Sequence, residues 1–456
     1  MNTHYSILPV VICLCFTLLA GCQKEQYMIA NQDGYQTKTF LDNKKDINDR
    51  YTISANDVSS YVKLRLINGD NNLQIKEIIP LSVDKTQATI YVVNLDQNKG
   101  WYIFAGDARI QPVLAMNDSG NFPKGDYSEY GKEWIGDLNY IISNISDNLN
   151  TDCDSTSVYV QEWKAIRSIS KLLSQGNVKT DPDTTDTTIE VYYDTLINTL
   201  LGPFSETRWI QYHPYNVKVP YIDNGENRCL AGCVPIAIAQ FLYYTHYKNG
   251  IPTSMYETGS CSDLYSNGPP YYGFSFGNWS SNAWSKMSKT TLEYLINPLV
   301  STDNVAVLVA YMAKDLGTSY ANDGSGTTSL DSIPHVLSNM GIYNSQVQNY
   351  NASVVVANLN SNRIVITSGK TTTTAQYGHA YIIDGYKRLR IRVSEIITHS
   401  DGEIETNISY IDNSYIHVNM GDQVSINGSF HTTQWVAHDF YFPADAKIVT
   451  NWTLTQ

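Results

Sequence analysis

A polar run near the middle of the chain predicts a boundary between two domains. Lys179-Thr-Asp-Pro-Asp-Thr-Thr-Asp-Thr-Thr188 is acidic on balance and has no apolar side chain other than its proline. Because such a segment cannot bury surface, it is typical of an exposed linker. We therefore expect a domain boundary within or just after it, at 180–200. The chain has 456 residues, which is long enough for one domain on each side.

The part before the linker has the pattern of a small domain. From about Val58 to Phe122 the pattern is strand-like, and Ala88–Leu95 and Trp101–Ala105 predict a hairpin. Helical patterns follow at about 127–148 and 158–176. We expect a small α+β domain here.

The part after the linker begins with helices and ends with strands. The predicted helices are Val234–Lys248, Val305–Leu316 and Leu330–Met340, and the predicted strands are Arg363–Thr367, Ala380–Asp384, Ile391–Val393, Ser409–Asp412, Tyr415–Val418 and Trp435–Phe442. Helices followed by an antiparallel sheet indicate the α+β class.

Charge disfavours some partners. The net charge of -13, with no basic run to offset it, argues against nucleic acid and anionic membrane surfaces. The hydrophobic fraction of 42% is enough to build a real core.

The first residues have the pattern of an export signal. An apolar stretch, Ile7–Ala20, is too short for a comfortable membrane span and is followed by Leu19-Ala-Gly-Cys22. This ending is similar to a bacterial lipobox, so we expect a signal peptide at 1–21 and a membrane anchor through lipidated Cys22. The product would be an outer-membrane or cell-surface lipoprotein, or be secreted after processing. An ordinary signal peptide with a chance cysteine is the alternative.

Four cysteines remain beyond Cys22. They are Cys153, Cys229, Cys233 and Cys261. In an oxidising compartment they could form two disulfides, or one disulfide with one reactive and one idle thiol. The count does not choose between these arrangements.

Cys233 is the candidate nucleophile. It directly precedes Val234-Pro235 and the apolar segment Ile236–Tyr244, and proline is favoured in the first turn of a helix. Free N–H groups and the dipole at a helix N-terminus favour a thiolate by lowering the thiol pKa. Gly232 allows the backbone to approach a substrate carbonyl closely. Cys229 lies in the preceding loop and lacks this placement.

His379 is the candidate partner of the thiol. It follows a glycine at the start of the apolar strand in Tyr377-Gly-His-Ala-Tyr-Ile-Ile-Asp-Gly385, and histidine is suited to proton transfer at neutral pH. Its separation from Cys233 falls within the roughly 130–150 positions found between Cys and His in papain-like enzymes. His417 has the pattern of a structural histidine, and His213 and His246 are the runner-up bases.

Two amides complete the candidate set. Asn419 follows His379 on a later strand and could orient the imidazole. Gln211 lies upstream of Cys233 and, with the Cys233 backbone N–H, could donate to an oxyanion.

Five segments together carry a family resemblance. They are Trp209-Ile-Gln-Tyr-His-Pro-Tyr-Asn216, Gly232-Cys-Val-Pro-Ile-Ala-Ile-Ala-Gln240, Gly378-His-Ala-Tyr-Ile-Ile-Asp-Gly385, His417-Val-Asn419 and, in the first part, Gly100-Trp-Tyr-Ile-Phe-Ala-Gly-Asp-Ala-Arg109. The chain resembles the streptopain-like cysteine peptidases over roughly 60–440, and its first part resembles their inhibitory prodomain.

The resemblance implies a papain-like α+β peptidase domain at 191–456, preceded by a smaller α+β prodomain at 22–190. It implies a zymogen in which the prodomain displaces the catalytic histidine until the linker is cut. Protein or peptide substrates are implied, with no metal and no cofactor. By the same resemblance the catalytic residues are Cys233, His379, Gln211 and Asn419, and the substrate cleft includes Gly232, Ser325, Gly378 and Met420.

One position departs from the family pattern. Met420 stands where the family usually has a tryptophan that shields the Cys–His pair, so we expect an active peptidase with an unusual rim. Two alternatives stay open: a peptide- or protein-binding lipoprotein on a degenerate peptidase scaffold, and a Cys–His acyl transferase such as a transglutaminase.

Overall fold

In the computed structural model of the chain, we call the part before the polar run the N-terminal domain and the part after it the C-terminal domain. The structure describes residues 51–66, 74–81, 90–122 and 158–174 of the N-terminal domain and, in the C-terminal domain, residues 188–222, 227–249, 283–320, 326–370, 379–398, 402–421, 433–437, 444–450 and 452–454. The predicted helix at 127–148 and the run 179–187 lie outside these residues. No helix among the described residues is both long and apolar enough to span a membrane.

Within the described residues of the N-terminal domain, two helices pack on four strands. Its helices are α1 (Ala55–Leu66) and α2 (Val158–Ser174), and its strands are β1 (Ile75–Leu81), β2 (Ile90–Leu95), β3 (Trp101–Ala105) and β4 (Val113–Asn117). The predicted hairpin is present as β2 and β3, which pair antiparallel, and the helix predicted at 158–176 is α2.

Helix α1 corrects one prediction. We expected strand-like structure from Val58, but residues 55–66 are helical. The missed signal is a capping box, in which the Asp57 N–H donates to Ser54 Oγ at 3.2 Å and the Ser54 N–H donates to Asp57 Oδ2 at 2.8 Å. These reciprocal bonds satisfy amides of the first turn and start a helix despite its β-branched content.

The C-terminal domain contains helices followed by strands, as its pattern predicts. The helices are α3 (Cys233–Asn249), α4 (Thr291–Ile296), α5 (Thr302–Asp315), α6 (Ile333–Asn339) and α7 (Ala352–Asn360). The strands are β5 (Thr188–Leu201), β6 (Ser319–Tyr320), β7 (Gly326–Thr327), β8 (Gln346–Asn349), β9 (Val365–Lys370), β10 (His379–Thr398), β11 (Ile404–Asn419), β12 (Thr433–Ala437) and β13 (Ala444–Thr450).

One antiparallel sheet runs through both domains. Among the described strands its order is β1-β2-β3-β4-β12-β11-β10-β9-β13-β8, with β5 added to β10. The domains join where Trp435 and Val436 of β12 pair with Met116 and Ala115 of β4. This mixed architecture agrees with the predicted α+β class.

Strand β10 is longer than its sequence pattern suggests. Residues predicted as two strands form one 20-residue strand, and β11 likewise joins the two segments predicted at 409–412 and 415–418. Beyond Tyr386, β10 pairs on one side with β11 and on the other with β5, out to Thr398 opposite Thr188. We call this three-stranded part of the sheet, formed by β5 and the paired ends of β10 and β11, the β-arm. Turn residues that would break β10 are absent from 386–398, which explains its continuity.

Two apolar clusters lie on the sheet. The first includes N-terminal-domain side chains together with side chains of β10, β11 and β12, among them Trp101, Phe104, Trp163, Tyr381, Ile416 and Trp435. The second lies under α3, α5 and α6 and includes Trp209, Ile236, Phe241, Val309, Leu337 and Ile382. Alternate residues of β10, such as Tyr381 and Ile382, point into opposite clusters, as the pleat requires.

Polar contacts supplement the junction between the domains. Asn413 Nδ2 donates to Tyr61 OH and to Glu162 Oε1, both at 3.2 Å, and all three residues are buried. Trp435 Nε1 donates to Asp118 Oδ2 at 3.2 Å. Because hydrogen bonds between buried groups demand fixed partners, they set how the N-terminal domain sits on the sheet.

Candidate active site

The candidate nucleophile opens helix α3, as predicted. Cys233 is the first residue of the helix, and its thiol is half-buried. Gly232 has a φ of +93°, which favours glycine, and its carbonyl accepts from the Ile236 N–H at 3.2 Å. Pro235 lies in the first turn, where its missing N–H costs nothing. The thiol therefore sits at the N-terminal end of the helix, where the amides of the first turn have no acceptor within the helix itself.

A buried loop supports the start of the helix. The Ala231 N–H donates to the Gln211 carbonyl at 2.9 Å, and Asn216 Nδ2 donates to the Cys229 carbonyl at 2.9 Å. Tyr320 OH donates to the Ala231 carbonyl at 3.3 Å. Gln211 itself is buried. The backbone of Gln211 thus lies next to the backbone that leads into Cys233, although the two residues belong to different sequence motifs.

The candidate base lies at the first residue of β10. His379 is buried, and its Nε2 is 2.8 Å from the carbonyl oxygen of Met420. Because a carbonyl can only accept, Nε2 carries the proton in this contact. In the neutral imidazole Nδ1 then has no proton and can accept one. The ring of Tyr381 lies nearly parallel to the imidazole, at 6.3 Å between centroids and 17° between planes.

Asn419 makes contacts other than the one expected from the sequence. Its Nδ2 donates to the Thr207 carbonyl at 2.8 Å and to Gln240 Oε1 at 2.7 Å. Its Oδ1 accepts from the Gly421 N–H at 3.2 Å. The oxygen that meets the imidazole belongs to the next residue, Met420. Whether Asn419 contributes to catalysis stays a prediction.

Residues 420–421 connect the histidine to the nucleophile helix. A Cβ added at Gly421 would lie 2.6 Å from Ile236 Cγ2, and Gly421 has a φ of +60°. Ile236 is in the first turn of α3, and Met420 is bonded to His379. The helix also packs on β10. Cys233 and His379, the first residues of α3 and β10, therefore lie at the same end of the interface between this helix and this strand.

Met420 does not lie at the rim of the substrate cleft, where the sequence predicted it. Its side chain is 4% exposed and belongs to the first apolar cluster. Its contribution at the imidazole is the backbone carbonyl, which any residue would supply. The tryptophan-to-methionine departure consequently leaves this hydrogen bond in place. Of the other predicted cleft residues, Gly232 is described above, while Ser325 and Gly378 lie outside the described residues, as does Cys22.

His417 forms a buried pair with Asp384. Nδ1 of His417 is 2.5 Å from Asp384 Oδ1, and Asp384 Oδ2 accepts from the Ser205 N–H at 2.9 Å. Burial and, secondarily, the Asp384 carboxylate raise the pKa of Tyr244 to about 12. Burial lowers the pKa of Arg208, and Asp384 opposes that effect. The pair ties β10, β11 and the segment before 207 together, which is a structural role.

The remaining thiol near the site is inert by position. Cys229 is fully buried, whereas Cys153 and Cys261 lie outside the described residues. Among the residues that the structure describes, no group of three or more His, Cys, Asp or Glu side chains is placed to hold a metal ion.

Sequence reasoning assigned no role to Thr207 and Gln240. Gln240 ends one of the motif segments, but as a lone amide in an apolar helix it carried no independent signal. Its importance follows only from its contacts with Asn419 and Thr207.

The site thus combines a thiol at the first residue of a helix, a buried histidine on an adjoining strand and the N-terminal domain packed on the same sheet. Residues 209–430 match the Peptidase C10 family, and residues 52–142 match the Spi protease inhibitor. The chain therefore carries a streptopain-like domain of the Peptidase C10 family, preceded by an inhibitor-like region.

A curated relative agrees with this assignment. The chain is 22% identical over 323 residues to the Thiol protease/hemagglutinin PrtT of Porphyromonas gingivalis. The match covers 67% of this chain and 32% of the relative. The chain thus spans about a third of the length of that protein.

Proposed function

We propose that the chain is a papain-like cysteine endopeptidase made as a zymogen, with proteins or peptides as substrates. The observation that carries the proposal is the placement of Cys233 at the N-terminus of α3, in contact through residues 420–421 with the strand that begins at His379. The family match supports a peptidase, and the thiol at this helix end supports the cysteine type.

The proposed mechanism uses both ring nitrogens of His379. Nδ1 takes the proton of the Cys233 thiol while Nε2–H stays bonded to the Met420 carbonyl. The thiolate attacks the substrate carbonyl carbon, and the Cys233 N–H and the Gln211 side-chain amide stabilise the oxyanion. The imidazolium then gives its proton to the amine nitrogen as the scissile C–N bond breaks. The amine leaves, and the acyl group remains on Cys233 as a thioester. Water, deprotonated by the same imidazole, then releases the acid and restores the thiol.

The N-terminal domain is proposed to be an inhibitory prodomain. Its β4 extends the catalytic sheet at β12, and its buried polar groups bond to Asn413 of β11. Its match to the Spi protease inhibitor supports the same role. Cutting the chain between α2 and β5 would leave β5 paired with β10, so the processed peptidase keeps the β-arm.

We further propose that the chain is exported and anchored through lipidated Cys22, on the basis of the Leu19-Ala-Gly-Cys22 pattern. Replacing Cys22 with serine and measuring incorporation of radiolabelled palmitate into the protein tests the anchor. Undiminished labelling of the variant would contradict it.

The function is tested by labelling the processed chain with a peptidyl epoxide that alkylates active-site thiols. We expect stoichiometric labelling at Cys233, identified by peptide mass spectrometry, together with hydrolysis of casein that the probe abolishes. Failure to label Cys233 would favour the binding-lipoprotein alternative. Labelling accompanied by ligation of an added amine, in place of hydrolysis, would favour the acyl transferase.

Processing is expected to occur between molecules. Thr188 pairs with Thr398 at the far end of the strand that begins at His379, and a 20-residue strand spans roughly 60 Å. The chain between Ser174 and Thr188, fully extended, reaches only about 45 Å. While β5 stays paired, the linker cannot enter the active site of its own molecule.

The order of the processing reaction tests this expectation. The initial fraction of zymogen cut per minute should rise in proportion to protein concentration over about a tenfold range. The Cys233→Ala zymogen, which cannot cut itself, should be processed by added wild-type enzyme as fast as wild-type zymogen is. A fractional rate that is independent of concentration would contradict the expectation.

A further inference from the structure

We propose that Gln240 is a positioning residue for His379, acting through Asn419 and the backbone of Met420. The inference rests on the proposed function and adds to it the group that holds the imidazole's acceptor in place. It concerns a residue of α3 that is fully buried and touches neither the thiol nor the imidazole in any contact described above.

Gln240 lies at the centre of a buried polar cluster. Its Oε1 accepts from Asn419 Nδ2 at 2.7 Å and from Thr207 Oγ1 at 2.9 Å. Asn419 Nδ2 also donates to the Thr207 carbonyl. Gln240, Thr207 and Asn419 are each 0% exposed. The three residues come from α3, the segment before it and the end of β11, so the cluster joins three separate parts of the chain.

The orientation of both amides follows from their fixed partners. The Gly421 N–H can only donate, so it faces Asn419 Oδ1, and the Thr207 carbonyl can only accept, so it faces Asn419 Nδ2. Gln240 must then present its oxygen to Asn419. This leaves Gln240 Nε2 buried and, among the described residues, without a hydrogen-bond partner.

The hydrogen bonds of Gln240 within the cluster all end on its oxygen. What glutamine supplies is the oxygen that accepts two hydrogen bonds at once. The part of the cluster that depends on this oxygen is the Asn419 side chain.

Asn419 in turn sets the backbone that meets the histidine. Gln240 fixes the amide nitrogen of the Asn419 side chain, and Asn419 Oδ1 accepts from the Gly421 N–H, which belongs to the same planar peptide group as the Met420 carbonyl. The Met420 carbonyl is therefore held between two anchored residues, at 2.8 Å from His379 Nε2. Because Cys233 and Gln240 are about two turns apart on one rigid helix, α3 positions both the thiol and the acceptor that orients its base.

The test replaces Gln240 with methionine, which has nearly the same length but no acceptor for these N–H and O–H groups. In Gln240→Met, Asn419 keeps the Thr207 carbonyl and Thr207 Oγ1 keeps Ser205 Oγ at 2.9 Å, so we expect the variant to fold. After processing of the full chain by added wild-type enzyme, kcat should fall about 10- to 100-fold with KM within about twofold. Gln240→Glu keeps an acceptor oxygen at this position and should hold kcat to within about threefold of the wild type.

A matched control lies on the same helix. Thr245 is fully buried and its hydroxyl donates to the Phe241 carbonyl at 2.8 Å, so Thr245→Val removes a buried polar group outside the cluster. It should change the midpoint of thermal unfolding without changing kcat. If Thr245→Val lowers kcat as much as Gln240→Met does, or if Gln240→Glu fails to rescue a folded enzyme, the positioning role is wrong.

A second readout separates this inference from the proposed function. The rate constant for alkylation of Cys233 by iodoacetamide, measured on the unprocessed full chain, depends on the thiol and its base but needs no substrate hydrolysis. We expect a lower rate in Gln240→Met and a restored one in Gln240→Glu. The same pattern in a chain without hydrolytic activity would overturn only the proposed function. Normal hydrolysis and unchanged alkylation in Gln240→Met would overturn only the positioning role.

Discussion

Replacing Cys233 with alanine should reduce peptide hydrolysis more than about 10⁴-fold, because no other group in the proposed mechanism can form the thioester. The side chain is half-buried at the first position of α3, where alanine is well tolerated in a helix. The variant should therefore fold, retain its thermal unfolding midpoint within a few degrees and still bind substrate. Casein hydrolysis and circular dichroism of the processed chain measure both properties.

Cys229 provides the matched control for this prediction. It is the neighbouring cysteine, but it is fully buried and lies in the loop before the helix. Cys229→Ala should retain activity within about threefold and lose about 1 kcal/mol of unfolding free energy from the removed sulfur. An inactive Cys229→Ala beside an active Cys233→Ala would show that the nucleophile was misidentified.

Replacing His379 with alanine should lower kcat about 10³- to 10⁴-fold, since both proton transfers of the mechanism pass through its ring. The loss should be smaller than for Cys233→Ala because the thiol remains and can still be deprotonated by solvent base. Added imidazole should restore part of the activity by entering the space left by the ring. Steady-state kinetics with and without imidazole on the processed chain measure the effect.

His335 provides the control for the histidine. It is exposed on α6, and His335→Ala should leave kcat and KM unchanged. Undiminished hydrolysis in a folded His379→Ala variant would exclude the imidazole as the acid and base. It would direct attention to His213 and His246, the two other histidines near the nucleophile in sequence.

Local signals were sufficient for several elements. Helix α3 could be predicted because a glycine, a proline in the first turn and an apolar run all act within a few residues of Cys233. The hairpin of β2 and β3 followed from two β-rich runs around one turn. The same type of argument failed for α1, where the capping pair Ser54 and Asp57 outweighed a strand-like composition.

Contacts between segments remote in the chain could not be predicted from local sequence patterns. The β-arm depends on the pairing of β5 with β10, which joins residues about 200 positions apart. The residue pattern of neither strand indicates which other strand it pairs with. The sequence predicted that Asn419 orients the imidazole, but the contact that the structure describes is made by the carbonyl of the next residue, Met420. A single step along the chain changes the direction of a side chain, and sequence spacing does not resolve that step.

The amino-acid sequence alone determined the α+β class and the position of the thiol at a helix start, because both depend on patterns of residues close together in the chain. Tertiary structure alone decided that one sheet joins both domains and that Gln240, Thr207 and Asn419 form a buried cluster beside the Met420 carbonyl. Those contacts join segments remote in sequence, and their geometry depends on strand register and helix packing that no local pattern encodes.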